Sequence, residues 1–345
     1  MKKYVYYIII SSIGFFCGCH DAPRDNPLDP QSSQYISTTS VTGTVSILNQ
    51  GTPLPSATIT SMENGISTVS NASGAFSFDR LTIGTQTLIC TKSNYTPDTQ
   101  RIVLQTQTRA QVHFSMNGAP FVVSQNIYTR KIDQYYPGPQ YFVDVAASIA
   151  DPNGITDIDS VWFFITYAST GTSTSDTLFF PMTYSVSTRL FQVTIYNSAL
   201  PTNTIQWLVS KPLQIRSRDF HYAINYSNPF YVSRIIENTA TPIYPTTNTS
   251  TSVKDTTDPT PLLHWSSISG VTFNYTYSLT LTRIISGVRN DIGTYSQISS
   301  VNNAFQFPGD NSGETLDSGD YVWTVTVIDD FGNYSRSKEA AFVVK

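Results

Sequence analysis

The stretch Val41-Thr42-Gly43-Thr44-Val45 alternates apolar with small polar side chains, and Ala57–Thr60 and Phe76–Phe78 do the same. Successive side chains of a strand point to opposite faces, so each run predicts a strand with one buried face. Residues that favour turns separate the runs, at Pro53–Pro55 and at Asn71–Gly74. Short alternating runs divided by turns are typical of a β-sandwich or a β-barrel.

The composition also favours an all-β fold. Of the 345 residues 13% are charged and 13% are aromatic, including 21 Tyr and 19 Phe. Low charge and many Tyr, Thr, Ser and Val residues suit the half-buried surface of a sheet. The length allows two or three domains of ordinary size. The net charge of −4 includes no long basic run, which argues against a nucleic-acid partner.

Spaced motifs run through residues 40–117: Gly43–Val45, Leu54–Ile59, Ser70–Phe76, Leu81–Gly84 and Asn94-Tyr95. In this order they resemble the carboxypeptidase regulatory-like domain, a transthyretin-like sandwich. Asn94 stands where that family has glycine, and asparagine readily adopts the left-handed backbone that the turn needs. The resemblance implies a non-catalytic module whose fold is shared by several carbohydrate-binding domains, and it assigns no binding residue.

The next block, residues 118–237, continues the alternation. In Tyr141–Ile149 the odd positions form one apolar face, which predicts a half-buried antiparallel strand. Further strands are predicted at Phe121–Val123, Ser160–Tyr167, Thr177–Phe180, Leu190–Tyr196, Ile205–Val209 and Leu213–Ser217. The strand number and spacing resemble a bacterial immunoglobulin-like sandwich.

The last block, residues 238–345, contains two tryptophan strands. Leu262-Leu263-His264-Trp265 comes first, and Asp320–Val327 follows with four apolar residues on one face: Tyr321, Trp323, Val325 and Val327. In this order they resemble the fibronectin type III domain.

The ends of the second and third blocks echo each other. Asp219-Phe220 and Asn225-Tyr226-Ser227 parallel Asp330-Phe331 and Asn333-Tyr334-Ser335. Similar turn residues at two places in the chain predict two copies of one sandwich type.

The N-terminal segment has two lysines followed by a short apolar run, Tyr4–Phe16. This is the layout of a secretory signal peptide, and the run is too short to span a bilayer comfortably. Phe16-Cys17-Gly18-Cys19 resembles the bacterial lipobox, with Phe16 where Leu is usual and Cys17 where Ala or Ser is usual. The resemblance implies that residues 1–18 are removed and that Cys19 carries the lipid. The alternative is an ordinary secretory signal cleaved beside an incidental cysteine.

Residues 19–39 are predicted to form an extended tether, because His20–Pro30 contains three prolines and almost no apolar surface. After signal removal only Cys19 and Cys90 would remain, so an acylated Cys19 would leave no intramolecular disulfide. Cys90 is predicted to be a small buried hydrophobe. His20 rather than Asp follows Cys19, which favours the outer membrane over inner-membrane retention.

No catalytic motif is found. The four histidines, His20, His113, His221 and His264, form no His-Glu-x-x-His pattern, and there is no Gly-x-Ser-x-Gly elbow. His113 and His264 are predicted to face solvent on their strands. The sequence therefore predicts a protein that is not an enzyme and that holds no cofactor or metal, although distant carboxylate pairs stay open.

Asp151-Pro152-Asn153-Gly154-Ile155-Thr156-Asp157-Ile158-Asp159 is the best metal candidate. Its side-chain oxygens could surround a calcium ion. Its spacing is not that of an EF-hand, and the same residue types make an ordinary strand connection. A second open question concerns Tyr128, Tyr135, Tyr136 and Tyr141, whose rings could stack on a glycan or could pack as ordinary strand and loop residues.

These observations predict an all-β protein of three tandem sandwiches, residues 40–117, 118–237 and 238–345, behind a cleaved lipoprotein signal and a tether. The expected role is a non-catalytic envelope protein, anchored in the membrane by its N-terminal lipid, that serves as a binding or structural component of the outer membrane or cell surface. The alternatives are a carbohydrate-binding lipoprotein that assists polysaccharide capture and an accessory subunit of an envelope enzyme. The partner would be a glycan or another envelope protein.

Overall fold

The computed structural model describes residues 31–32, 38–105, 109–168, 175–247, 250–310 and 312–345. Across these ranges the chain forms 23 β-strands and three short 3-10 helices, with no α-helix. The all-β fold class is therefore confirmed. The predicted signal peptide and Cys19 lie outside the described residues. No helix among the described residues is long and apolar enough to cross a membrane.

The first compact unit ends at Ala119. Its strands are β1 (Thr38–Ile47), β2 (Thr58–Ser61), β3 (Ile66–Val69), β4 (Ala75–Thr82), β5 (Gly84–Thr91), β6 (Asp98–Leu104) and β7 (Ala110–Met116). They form two sheets, ordered β4-β1-β7 and β3-β2-β5-β6. The alternating residues Val41, Val45, Ile59, Phe76 and Phe78 are all buried in one core, as the sequence pattern predicts.

Two glycines of the sequence motifs lie where neighbouring atoms leave no room for a side chain. Gly43 pairs with Phe76 across β1 and β4. A Cβ on Gly43 would lie 2.4 Å from the Phe76 ring, so no other residue fits without movement. Gly74 has a φ of 73°, and a Cβ there would lie 2.3 Å from the Val45 carbonyl oxygen. Asn94 has a φ of 64°, the left-handed backbone predicted for it.

The second compact unit runs from Pro120 to Lys345. Its first part contains β8 (Phe121–Ile132), β9 (Gln140–Ala150), β10 (Ile158–Ala168), β11 (Ser175–Ser185), β12 (Leu190–Tyr196), β13 (Leu213–Asp219) and β14 (Ile224–Tyr226). The odd positions from Val143 to Ile149 lie in its core, as predicted. Three 3-10 helices complete this part: Ile155–Asp157, Asn197–Ala199 and Ile205–Leu208.

The strand predicted at Ile205–Val209 is wrong. The chain there forms a 3-10 helix, and the Thr204 side chain accepts the N–H of Gln206 at its start. Ile205 and Leu208 are fully buried three positions apart, which is the repeat of a 3-10 helix rather than of a strand.

The last part of this unit contains β15 (Thr241–Tyr244), β16 (Asp255–Thr257), β17 (Leu262–Ser266), β18 (Tyr275–Ile285), β19 (Val288–Ser299), β20 (Ala304–Gln306), β21 (Gly319–Asp329), β22 (Tyr334–Arg336) and β23 (Ala340–Val344). Its core is separate and contains the residues predicted for both tryptophan strands: Leu263, Trp265, Tyr321, Trp323, Val325 and Val327.

The two parts of the second unit share a sheet. Strand β22 pairs in parallel with β8, placing Tyr334 opposite Arg130 and Arg336 opposite Ile132. One hydrogen-bonded path consequently runs β14-β13-β10-β11-β12-β9-β8-β22-β21-β18-β19. The predicted boundary between residues 237 and 238 stays a prediction, because both cores lie within one compact unit.

The similar turn predicted in the two parts is present, with a corrected register. Asp219 Oδ1 accepts the backbone N–H groups of His221 and Ala223. Asp329 Oδ1 accepts those of Phe331 and Asn333 in the same way. Farther along, Ser227 Oγ accepts the N–H of Ile215 and Ser337 Oγ that of Val325. Asp219 is therefore equivalent to Asp329, not to Asp330, and Ser227 is equivalent to Ser337, not to Ser335.

Candidate metal centre

Three aspartates meet at one end of the sandwich formed by β8–β14. Asp151 follows β9, Asp157 ends the 3-10 helix before β10, and Asp219 is the last residue of β13. One carboxylate oxygen from each lies within 4.8 Å of the others. The pairing of Ile158 with Asp219 between β10 and β13 brings the third aspartate to the first two. We call this group the acidic cluster.

Short-range hydrogen bonds fold the chain between the first two aspartates. Asp151 Oδ1 accepts the N–H of Asn153 at 2.6 Å, and the Asp151 carbonyl accepts the N–H of Gly154 at 3.0 Å. Gly154 has a φ of 107°, which favours glycine. Its carbonyl accepts the N–H of Asp157 at 3.0 Å, which turns that residue back toward Asp151. The stretch is thus a tight turn locally, and that turn places two carboxylates together.

A backbone bond fixes the third aspartate against the turn. The Asp157 carbonyl accepts the N–H of Phe220 at 3.0 Å. Asp219 Oδ1 is already engaged by the His221 and Ala223 N–H groups at 2.9 and 2.8 Å, which orients its carboxylate. The acidic cluster is therefore held by main-chain hydrogen bonds on both sides.

The cluster is largely buried and brings three carboxyl groups together. Asp219 is 0% exposed and Asp157 is 8% exposed. Burial is the main cause that raises the pKa of Asp151 to about 6, and the charges of Asp157 and Asp219 act in the same direction. The Asn153 N–H and the His221 ring oppose this rise. His221 Nδ1 lies 3.3 Å from Asp157 Oδ1, on a side chain that is 41% exposed.

Two oxygens of the cluster have no hydrogen-bond partner among the residues that the structure describes. They are Oδ2 of Asp151 and Oδ2 of Asp157, and both atoms are buried. Oxygen ligands of this kind are the ones that calcium and magnesium prefer. The arrangement offers a hard cation three carboxylates at one end of the sandwich.

The sequence predicts part of this site. Asp151 and Asp157 of the predicted loop come together, but Asp159 does not join them. Its Oδ2 accepts a hydrogen bond from Arg218 Nε at 2.8 Å, and that bond holds its pKa below the usual range. Asp219 was predicted only as part of the repeat, because its approach depends on the register of β10 with β13.

The remaining candidates lie elsewhere. His113 is exposed, as predicted, and hydrogen-bonds with the hydroxyls of Thr44 and Ser46. His264 is half-buried rather than solvent-facing, on the strand face opposite the buried Leu263 and Trp265.

The four tyrosines considered for glycan stacking divide into two pairs. Tyr135 is 74% exposed and Tyr136 is 91% exposed. Tyr128 and Tyr141 are half-buried, and Tyr141 packs against the core while its hydroxyl donates to Glu237 at 2.9 Å. Only Tyr135 and Tyr136 of these four therefore present most of their ring to solvent.

Residues 41–123 match the family model of the CarboxypepD_reg-like domain. The resemblance of the first domain is thus confirmed. A search of curated proteins finds no match for the chain.

Several solved structures resemble the chain weakly. The major pilin subunit BcpA of Bacillus cereus is 9% identical with a TM-score of 0.33, over 89% of this chain and 95% of that one. Fibronectin(III)-like modules of Clostridium thermocellum CbhA are 12% identical with a TM-score of 0.28, over 65% and 92%. A DUF3823 family protein from Bacteroides ovatus is 12% identical with a TM-score of 0.24, over 56% and 98%. Likeness at these scores carries no argument about function.

Proposed function

We propose that this protein is a non-catalytic lipoprotein of a bacterial cell envelope, anchored through Cys19 and presenting β-sandwich modules for binding or structural roles at the outer membrane or cell surface. The observation that carries the proposal is the lipobox-like Phe16-Cys17-Gly18-Cys19 after a short apolar run. Several acyl chains on one cysteine would hold the protein at a membrane far better than a single chain does.

The described domains support this role. Their side chains build three separate hydrophobic cores, and the first domain is of the carboxypeptidase regulatory-like type. Such modules provide binding surfaces and distance from the membrane rather than catalytic residues. This suits a protein that is displayed from a membrane.

The chain offers a clean test because Cys90 is buried in the core of the first domain. Cys90 is 0% exposed, and its burial raises the pKa of the thiol to about 11. Since the thiolate is the reactive form, a buried thiol of high pKa is a poor site for modification. Cys17 belongs to the segment that processing would remove. A lipid on the mature chain would therefore report on Cys19.

The test compares Cys19→Ala with Cys17→Ala in the full precursor. Cells are fed an alkyne fatty acid, and the purified protein is measured by intact mass and membrane fractionation. The proposal expects label, lipid mass and membrane retention in the wild type and in Cys17→Ala, and loss of label and lipid mass in Cys19→Ala. An unlabelled wild type, or equal labelling of Cys19→Ala, would contradict it.

Protease added to intact cells then distinguishes a protein displayed on the cell surface from one that faces the periplasm. Cleavage of the lipidated wild type would support a surface-exposed protein. Full protection would assign it to a periplasm-facing structural or accessory role. For the surface-exposed case, glycan screening with Tyr136→Ala as the comparison tests the exposed rings directly.

A further inference from the structure

We propose that Asp151, Asp157 and Asp219 bind one hard divalent cation, and that calcium is the ion this donor set favours. One oxygen from each carboxylate lies within 4.8 Å of the others. Oxygens that bind the same calcium ion at about 2.4 Å are at most about 5 Å apart, so the three can share one ion.

Unsatisfied oxygens point independently to a ligand. Asp157 is 8% exposed, and its Oδ2 is buried without any hydrogen-bond donor among the described residues. Oδ2 of Asp151 is also buried without a hydrogen-bond donor among the described residues. A buried carboxylate oxygen is strongly disfavoured unless it is paired, hydrogen-bonded or bound to a metal. Both atoms belong to carboxylates of the cluster, so one ion could bind the two groups together.

Arg218 and His221 are the two basic side chains beside the cluster whose ion pairs are described. The Arg218 guanidinium is engaged by Asp159. His221 Nδ1 lies 3.3 Å from Asp157 Oδ1, and a single imidazole can neutralise at most one of the three carboxylates. A divalent cation would bind the unsatisfied Oδ2 atoms of Asp151 and Asp157.

The donor set selects the class of ion. Zinc sites are built mainly from cysteine and histidine, whereas three carboxylates suit hard cations. Magnesium requires nearly ideal octahedral geometry, and calcium accepts irregular shells that include backbone carbonyls and water. The three aspartates come from a turn, a 3-10 helix and a strand end, which is the irregular arrangement that calcium tolerates.

The ion would join the β9–β10 connection to the turn after β13. These segments already share the hydrogen bond from the Phe220 N–H to the Asp157 carbonyl. Because calcium would bind the folded sandwich and not the unfolded chain, it should raise the melting temperature.

The experiment titrates the full mature chain, freed of metal by a chelator, with calcium chloride and separately with magnesium chloride in a calorimeter. Thermal unfolding is measured in parallel. The expected result is one calcium per chain, a melting temperature several degrees higher at saturation, and weaker magnesium binding. Absence of calcium binding up to about 10 mM, or tighter binding of magnesium than calcium, would overturn the proposal.

Variants locate the ion. Asp157→Asn should weaken calcium binding at least tenfold. The matched control Asp159→Asn, two residues farther along in β10 and paired with Arg218, should bind as the wild type does. Asp151→Asn, at a half-buried position, should give the same loss and serves if Asp157→Asn fails to fold. Unchanged calcium binding by a folded Asp157→Asn or Asp151→Asn would place the ion elsewhere and overturn the assignment.

Discussion

The turns after β13 and β21 have the same backbone hydrogen bonds but opposite surroundings. At the second turn, Asp329 Oδ2 receives the Arg234 guanidinium at 2.6 Å and the Asn333 side-chain amide at 2.9 Å. At the first turn, Ala223 stands where Asn333 stands, and two further aspartates face Asp219. One copy is therefore neutralised by its own side chains, and the other gathers negative charge.

The neutralised copy also connects the two parts of its compact unit. Asn333 Oδ1 accepts the backbone N–H of Thr129 in β8 at 2.9 Å, and Asn333 Nδ2 donates to Ser233 Oγ at 3.0 Å. Arg234 lies over the Phe273 ring, 4.2 Å from its centroid. One type of turn can therefore form an internal clasp, made by Asp329, Asn333 and Arg234, or contribute an aspartate to the proposed cation site.

The largest expected effect comes from breaking the clasp. Asp329→Ala should lower the free energy of unfolding by about 3–5 kcal/mol, because it leaves Arg234 and two backbone N–H groups without their partner. Urea unfolding followed by tryptophan fluorescence measures this. The neighbouring exposed Asp330→Ala is the control and should change stability by less than about 0.5 kcal/mol. Equal effects of the two substitutions would contradict the role given to Arg234.

A second substitution makes the clasp resemble the first turn. Asn333→Ala, which copies Ala223, should lower the free energy of unfolding by about 1–3 kcal/mol, since Asn333 is 0% exposed and its hydrogen bonds would be lost. The same urea measurement applies. Ala223→Asn is the reciprocal change at the first turn. A loss of unfolding free energy as large as that of Asn333→Ala would show that the two positions are not functionally different.

The acidic cluster predicts a dependence of stability on pH in calcium-free buffer. The pKa of Asp151 is raised from an ordinary 3.8 to about 6, so the folded protein retains a proton that the unfolded chain releases. Stability should therefore fall as pH rises between about 4 and 6, by roughly 1 kcal/mol because solvent partly screens this half-buried group.

Melting curves across this pH range measure the effect. Asp151→Asn should flatten that part of the profile, and saturating calcium should remove the loss. An Asp151→Asn profile identical to that of the wild type would show that the carboxylate does not titrate as the cluster requires.

The smallest expected effect concerns the left-handed residue of each turn. Tyr222 has a φ of 67° and Gly332 a φ of 85° at equivalent positions. Gly332→Ala should destabilise by about 1 kcal/mol, because a side chain is strained in this backbone even with open space around it. Tyr222→Gly should stabilise by less than that, since its ring also lies near Arg218. Chemical unfolding of both variants checks the opposite signs.

Local patterns made most of the fold predictable. The alternation in Tyr141–Ile149 and in Tyr321–Val327 identified buried faces, because period two is a property of the strand itself. Gly43 and Phe76 were recognised as motif residues, and the structure shows the close contact that requires them. The 3-10 helix at Ile205–Leu208 was missed because a short apolar run has no period long enough to distinguish it from a strand.

The site was only half predictable. Asp151 and Asp157 lie in one turn, so their proximity follows from local sequence. Asp219 joins them through the pairing of β10 with β13, and Arg234 reaches Asp329 from a distant segment. Such contacts depend on register and on the tertiary fold, and no spacing in the sequence encodes them.

Hydrogen–deuterium exchange of the full chain, with and without calcium, tests the central difference between the two turns most directly. The amides of His221 and Ala223 report on the first turn, and those of Phe331 and Asn333 report on the second. We expect calcium to slow exchange in the first turn and at Asn153 and Asp157, and to leave the second turn unchanged. Equal slowing of both turns, or no change in either, would contradict the account.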